Sequence, residues 1–254
     1  MSSGPLQQRW ISERYASNAG FVPKLGEPLI SLLKPMAEER ILDLGCGDGT
    51  LTKKLLDFNV DVLAIDSSID QVEAAKAKGL NAIVLDAYAL NFDNEFDAIM
   101  SNAALHWMSK DPDSVIRGVY SALKPGGRLV AEMGGKGNIG RVLWALKNNL
   151  QNYGIDWREY YPWYFPGPDD YAERLSRRGF VVSQMDLFPR PTKLPGDISN
   201  WLETFAEPFL SSVAENHRRD LLDAIKRVLE PFLFKGDCWI IDYMRLRFIA
   251  KKPY

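Results

Sequence analysis

Three aspartates and a run of glycines are the residues whose types and spacing could do chemistry. The stretch Ile41-Leu42-Asp43-Leu44-Gly45-Cys46-Gly47-Asp48-Gly49-Thr50 leads an apolar run into Gly-x-Gly-x-Gly. Glycines there permit positive φ and let a ligand approach bare backbone. A helix beginning just after them favours an anionic group at its first turn. The spacing is not the dinucleotide fingerprint, because Thr50 stands where its last glycine belongs and Gly49 comes one place early. It is not a phosphate-binding Walker loop either, since Gly-Lys-Ser/Thr is missing. Asp66 follows Gly45 by 21 residues and ends the next apolar run. An acid at the tip of the second strand of an open α/β sheet accepts the hydroxyls of a ribose. Asp86, followed by Ala87 and Tyr88, ends a third run and is placed to accept from an exocyclic amine such as that of adenine. Each acid alone reads as a helix cap or a loop residue. In register with the glycines, the three point to a nucleoside site at the carboxyl edge of a parallel sheet.

The elements that must position these acids follow from periodicity. ERILDLG (39–45), VDVLAID (60–66), NAIVLDA (81–87), FDAIMSN (96–102) and RLVAEMG (128–134) read as strands, apolar almost throughout as doubly buried strands are. Helices are expected between them. TLTKKLLDF reads as a short one. SIDQVEAAKAKG (68–79) has Ser67 or Ser68 as its N-cap and Gly79 as its C-cap, and DPDSVIRGVYSALKPGG (111–127) is closed by Pro-Gly-Gly. LGEPLISLLKPM (25–36) is a helix that Pro35 ends. This alternation predicts a parallel α/β sheet with helices on both faces. After residue 137 the pattern changes. IGRVLWALKNNL (139–150) is an amphipathic helix, WREYYPWYFPGP (157–168) is neither helix nor strand, and RGFVVSQMDLF (178–188) is a strand. WLETFAEPFL and 215–229 are helical, and WIIDYMRLRFIAKK (239–252) alternates as a strand returning to the sheet. The expectation is one domain over 1–254, made of an N-terminal helical segment (1–38), a ligand-binding core (39–137) and a cap within 140–238.

Composition bounds the possibilities. The 254 residues are 46% hydrophobic and 25% charged, with a net charge of -2, a profile of a globular protein and an argument against a nucleic-acid carrier. No apolar run approaches the ~20 residues of a membrane span. MSSGPLQQRWISERY has no signal-peptide core, so a cytoplasmic location is expected. The two cysteines, Cys46 and Cys238, make no disulfide framework and supply too few thiolates for structural zinc, so no metal is expected.

The constellation resembles the class I S-adenosylmethionine-dependent methyltransferases. The matching segments are ILDLGCGDGTLTKKLL, VLAIDSSIDQVEAAKAKG, AIVLDAYAL, FDAIMSNAALHWM and ALKPGGRLVAEMG, covering about 39–135 in the family's order. SNAALHWM, with the N-terminal WxxxRYASNAGFV, looks most like the trans-aconitate methyltransferase group. The resemblance implies a Rossmann-like, seven-stranded, mostly parallel sheet whose last strand is antiparallel, with helices on both faces and an inserted cap. It implies S-adenosylmethionine as donor, S-adenosylhomocysteine as product, and a small-molecule acceptor, with a carboxylate such as trans-aconitate giving a methyl ester. It places Gly45, Cys46 and Gly47 around the methionine part of the donor, with Asp43 helping to hold that part. Asp66 and Ser67 fall at the ribose, Asp86 and Ala87 at adenine, Asn102 beneath the sulfonium and Tyr15 in a segment over the donor. Gln71 departs from the family, many of whose members carry methionine against the adenine ring.

The acceptor side is less marked. An ionised carboxylate needs no general base, whereas a phenol or amine can need one. His106, just past the fourth strand, is a candidate base or a hydrogen-bonding partner of the substrate, or else a packed polar residue. His217, in ENHRRD, reads as solvated. Trp107, Trp144 and Trp163 are candidate pocket walls, as are their aromatic neighbours from Trp157 to Phe165, and the same residues could equally be lid core. Lys136, and Arg141, Arg158, Arg174, Arg177 and Arg178, are candidates for meeting an acidic substrate. Two alternatives stay open beside carboxylate esterification: methylation of a larger aromatic metabolite, and a non-catalytic donor-binding regulator.

Overall fold

Buried strands set the frame of the molecule. The computed structural model describes Trp10, residues 17–18 and residues 20–254. The strands β1 (Arg40–Leu44), β2 (Asp61–Asp66), β3 (Ala82–Val84), β4 (Phe96–Asn102), β5 (Leu123–Gly134), β6 (Val181–Lys193) and β8 (Cys238–Lys251) lie in the order β3-β2-β1-β4-β5-β8-β6. β1 is parallel to β2 and β4, β2 to β3, and β4 to β5. Residues Arg245–Lys251 of β8 run antiparallel to β5. Seven strands on this path match the expected sheet. A two-residue strand, β7 (Phe234–Lys235), hangs on β8 outside it and is too short to leave a periodic signal. The central strands are apolar because helices cover both faces, and Ile41, Leu42, Leu44, Ala98, Ile99 and Met100 are fully buried.

The helices of this part are α1 (Phe21–Leu33), α2 (Ile69–Ala77), α3 (Pro112–Ala122) and α5 (Pro168–Arg178). Ser68 caps α2 through Gln71 N–H, and Asp111 caps α3 through Ser114 N–H with Pro112 in the first turn. α1 stops at Lys34, whose φ of 50° and bond to Ile30 O turn the chain just before Pro35.

Two boundaries differ from the sequence reading. The helix expected over 111–127 ends at Ala122. Leu123 is already in β5, fully buried and paired with Phe96, and the register shift between Phe96 and Ala98 absorbs Pro125-Gly126-Gly127. β6 runs on to Lys193 through Pro189 and Pro191. It is the last strand of the sheet, and an edge tolerates the N–H that proline lacks.

The backbone divides into two compact units. Gly20–Lys136, Tyr164–Phe188 and Arg245–Tyr254 form the sheet unit, whose core joins Leu42, Leu44, Phe96, Ile99, Val119 and Phe248. The second unit holds Gly137–Trp163 and Pro189–Met244 with Trp10 and residues 17–18. Its helices are α4 (Gly140–Gln151), α6 (Ile198–Phe205), α7 (Glu207–Leu210) and α8 (Glu215–Leu233). α4 buries Val142, Ala145, Leu146 and Leu150, while α8 buries Leu221, Ile225, Leu229 and Leu233 at helical spacing. Trp201 Nε1 donates to the Tyr243 hydroxyl at 2.6 Å inside the unit.

Candidate active site

The glycine loop is held by main-chain bonds and shaped by contacts that exclude a side chain. Leaving β1, Gly45 and Cys46 both donate to Ile65 O, at 2.8 and 2.9 Å, which ties the loop to the end of β2. Gly45 has φ +76°, and a Cβ there would stand 2.3 Å from the Ala104 Cβ. Gly47 also has positive φ, +55°, but a Cβ there would meet no described residue within 4 Å. The first glycine is therefore required by packing, and the second faces open ground. Lys78 Nζ, just past α2, donates to Asp48 O at 2.8 Å and to Thr50 Oγ1 at 2.7 Å, and it pairs with the Asp48 carboxylate. The far side of the loop is fastened by that one ammonium.

Two acids stand beside this loop. Asp43 is only 2% exposed, and Thr52 Oγ1 donates to its Oδ2 at 2.6 Å. Burial, opposed by the Thr52 bond and reinforced by the charge of Asp66, pushes its carboxyl up to about 7. Asp66 accepts from Gly47 N–H at 3.0 Å through Oδ2 and from Ser68 N–H at 2.9 Å through Oδ1. Burial raises its pKa despite the N–H bonds from Ser68, Gly47 and Ser67. Those three donors leave one of about four lone-pair sites on the carboxylate for a further donor. Ser67 is exposed beside it. Cys46 donates to Gly47 O at 3.3 Å, and burial pushes its thiol far up, so it is a spacer and no nucleophile.

At the next strand ends, Asp86 is exposed and accepts from Tyr88 N–H at 3.0 Å, with Ala87 buried behind it. Gln71 is buried on α2, and its Oε1 has no hydrogen-bond partner among the described residues. Asn102 ends β4, where the backbone of α1 comes close: a Cβ on Gly26 would lie 2.5 Å from Asn102 Nδ2. Ala103 then turns with φ +55°, its N–H donating to Glu132 O at 2.7 Å.

His106 follows in the short turn Leu105–Trp107 and is 6% exposed. Gly134 N–H donates to its Nδ1 at 3.3 Å, and the rings of Trp107 and Phe165 lie 5.5 and 5.8 Å away. Burial first, and then the charge of Arg245, push the imidazole pKa well below its usual range. Three charges that sequence reasoning missed lie on the neighbouring strands. Glu132 of β5 is buried and paired by Arg247 Nε and a terminal nitrogen at 2.8 and 2.7 Å, with Arg245 Nε at 4.0 Å. The available signal was the charges set inside core strands, in VAEMG and YMRLRF.

The remaining candidates each have surroundings of their own. Lys136 is exposed, its N–H donating to Pro166 O at 2.8 Å. Trp163 is 4% exposed in the second unit, against Phe209 and Tyr161. Trp144 is 50% exposed and edges onto Phe232. The five candidate arginines have other engagements: Arg141 over the Phe232 ring, Arg158 on Asp156, Arg174 on Asp113 and Asp170, Arg177 on Glu173, and Arg178 over Tyr120. His217 lies against Tyr153. Tyr15 falls outside the described residues. Among the described residues no cluster of His, Cys, Asp or Glu could hold a metal ion, and no helix is long and apolar enough to cross a membrane.

Residues 42–131 match the family described as a methyltransferase domain. A similar curated relative is an uncharacterized methyltransferase of Schizosaccharomyces pombe, 36% identical over 261 residues, which covers 96% of this chain and 98% of the relative. The chain belongs to the class I S-adenosylmethionine-dependent methyltransferases. This methyltransferase uses S-adenosylmethionine as its methyl donor. It is also 31% identical over 128 residues to trans-aconitate 2-methyltransferase of Mycobacterium tuberculosis, a match that spans 50% of this chain and 49% of that one. The methyltransferase's fold is similar to that of loganic acid methyltransferase solved with S-adenosylhomocysteine, with a TM-score of 0.74 at 16% identity over 98% of this chain and 99% of the other.

Proposed function

We propose that this methyltransferase esterifies a small carboxylic acid, with trans-aconitate as the leading candidate. The observation that carries the reading is the state of His106. Its Nδ1 already accepts from Gly134 N–H, so the neutral ring keeps its proton on Nε2 and offers no free lone pair. An imidazole so placed does not act as a general base, and the acceptor must arrive as a nucleophile without one. A carboxylate does so at neutral pH, while a phenol or an ammonium does not. The partial match to trans-aconitate 2-methyltransferase supports the same class.

The donor site fits the residues around the glycine loop. Two acids, the buried Asp43 and the half-buried Asp66, suit a cationic ligand that bears a diol. The open ground at Gly47 lets such a ligand reach the backbone beside Asp66, and the orphaned Gln71 Oε1 is available to a donor group. When bound, S-adenosylmethionine supplies a methyl carbon already activated for in-line displacement. The chain's own task is alignment and exclusion of water. Asp66 takes the ribose hydroxyls with Ser67 beside it. Asp86 and Ala87 border the base. Gly45, Cys46, Gly47 and Asp43 border the methionine part, with Asn102 beneath. With the donor bound, an acceptor carboxylate would supply the oxygen that takes the methyl group, the electron pair of the sulfur–methyl bond staying on the thioether.

Two measurements test this reading. Asp66→Ala is expected to weaken donor binding at least tenfold, about 1.4 kcal/mol, by calorimetric titration. An unchanged dissociation constant would remove Asp66 from the ribose. Methyl-labelled S-adenosylmethionine with trans-aconitate is expected to yield labelled ester over many turnovers, detected by mass spectrometry. Donor binding without any ester would move the acceptor to another class, such as a larger aromatic metabolite.

A further inference from the structure

Asp66 is one acceptor site short of a vicinal diol. Its carboxylate takes the N–H of Gly47 on Oδ2 at 3.0 Å, that of Ser68 on Oδ1 at 2.9 Å, and that of Ser67. One of about four lone-pair sites is left, whereas a diol brings two O–H donors. Either one hydroxyl goes without, or one of the three N–H groups finds another acceptor. Such an acceptor is at hand on α2. Gln71 is 2% exposed, and its Oε1 has no hydrogen-bond partner among the described residues. A buried carbonyl oxygen in that state is costly and calls for a partner.

The place of Gln71 in the fold says which partner. Ser68 is the N-cap of α2, its Oγ accepting from Gln71 N–H at 3.4 Å. Ser68-Ile69-Asp70-Gln71 is thus the sequence of a capping box, in which the side chain of the fourth residue reaches back to the N–H of the first. Only half of the box is made, because Asp66 Oδ1 holds the Ser68 N–H. Gln71 also shares a helix face with Ala75, four residues on, and that face packs against the glycine loop: a Cβ on Gly49 would lie 3.0 Å from the Ala75 Cβ. Two acceptors, Asp66 Oδ1 and Gln71 Oε1, therefore compete for one N–H beside the loop.

We infer that Gln71 is a positioning residue for Asp66: as the ribose arrives, Ser68 N–H passes from Asp66 Oδ1 to Gln71 Oε1, and the released site on Oδ1 accepts the second hydroxyl. This rests on the placement of Asp66 at the ribose proposed above. Before the exchange Asp66 holds three N–H groups and Gln71 Oε1 holds none. After it the box is closed, Asp66 holds two N–H and two O–H groups, and the buried Gln71 oxygen is paired. The gain depends on both hydroxyls. A ligand with one hydroxyl fits the site that is already open and leaves Gln71 unused. Gln71 thereby sets the preference of the donor site for a ribonucleoside over a deoxyribonucleoside.

The test titrates S-adenosylhomocysteine and its 2′-deoxy analogue into the parent protein and into Gln71→Met, by calorimetry. Methionine is close to glutamine in volume and removes an unpaired buried oxygen, so the ligand-free variant should melt at or above the parent. The parent should bind S-adenosylhomocysteine at least tenfold more tightly than the analogue. Gln71→Met should weaken S-adenosylhomocysteine binding about fivefold and change binding of the analogue less than twofold. A purely structural role for Gln71 would weaken both ligands alike. A crystal structure of the parent with S-adenosylhomocysteine supplies a readout that needs no variant: Gln71 Oε1 should lie within hydrogen-bond distance of Ser68 N, with both ribose oxygens on Asp66. Equal losses for the two ligands, no loss for either, a ligand-free variant that melts below the parent, or a complex in which Ser68 N–H still bonds to Asp66 each overturn the inference and leave Asp66 at the ribose. If the parent binds the two ligands equally, the placement of Asp66 falls and the inference falls with it.

Discussion

Asp43→Asn protein without ligand is expected to melt above the parent at pH 8 and to bind S-adenosylmethionine at least tenfold more weakly. Asp43 is buried beneath the glycine loop with one hydroxyl donor, from Thr52, and its carboxyl is pushed up to about 7 from 3.8. An acid whose folded pKa is raised binds more protons folded than unfolded between those two values. Its contribution is therefore best below about pH 4 and is lost as pH rises toward 7. A carboxyl moved that far costs the folded state at most about 4 kcal/mol once both forms are ionised. Asparagine is neutral at every pH, and its carbonyl oxygen still accepts from Thr52 Oγ1. The variant should thus recover about 2–4 kcal/mol at pH 8, or roughly 5–10 °C for a chain this long. At pH 4 the two proteins should melt alike. Scanning calorimetry at both pH values checks the sign, and titration with the donor checks the affinity. Equal melting at pH 8 would mean that the buried carboxylate is satisfied in a way the Thr52 bond does not show. The expected combination, greater stability with poorer binding, is what a charge kept for a cationic ligand produces.

The parts of this protein that are legible in its sequence are those where one physical cause dominates. β1, β2 and β4 are apolar on both faces because helices cover both, and that leaves runs such as VLAI and ILDL, the latter broken only by Asp43. Asp43, Asp66 and Asp86 stand out because each interrupts or ends such a run. Boundaries are lost where two causes compete. Leu123 continues the apolar spacing of α3, yet its partner across the sheet is Phe96, and only the tertiary pairing decides between helix and strand. Arg245 gives no signal of its own because charges alternate with apolar residues in a strand with one solvated face, and β8 reads as such a strand. Its burial follows from Glu132, 113 residues earlier. The tautomer of His106 depends on a backbone N–H at Gly134, which no residue type encodes. Trp144 and Trp163 show the converse. An aromatic is equally suited to a pocket wall, a core and a surface pair, so residue type alone leaves them open.

Gly45→Ala and Gly47→Ala are expected to fail in different ways, although both residues have positive φ in one loop. At Gly45 a methyl group meets the Ala104 Cβ at 2.3 Å, far inside contact distance. Left-handed backbone costs about 1–2 kcal/mol for an L-residue, and an overpacked contact adds about 1–3 kcal/mol. Gly45→Ala should therefore lose about 2–5 kcal/mol of stability, with donor binding falling because the folded loop is lost. Replacing Ala104 by glycine in the same protein removes the overlap and should restore all but the backbone part, about 1–2 kcal/mol. At Gly47 no described residue lies within 4 Å of the added methyl, so stability should fall by that backbone cost alone. Donor affinity should nevertheless fall at least tenfold, because the methyl occupies the space beside Asp66 that the ligand needs. Denaturant melts and donor titrations on the three proteins separate the two effects. If Gly47→Ala binds S-adenosylmethionine normally, the donor does not approach the backbone there. If Ala104→Gly fails to rescue Gly45→Ala, the first glycine is required for its φ and not for the close approach of β4's end. The loop thus uses one glycine to let two strand ends meet and the next to leave a ligand room, a division that the motif alone does not reveal.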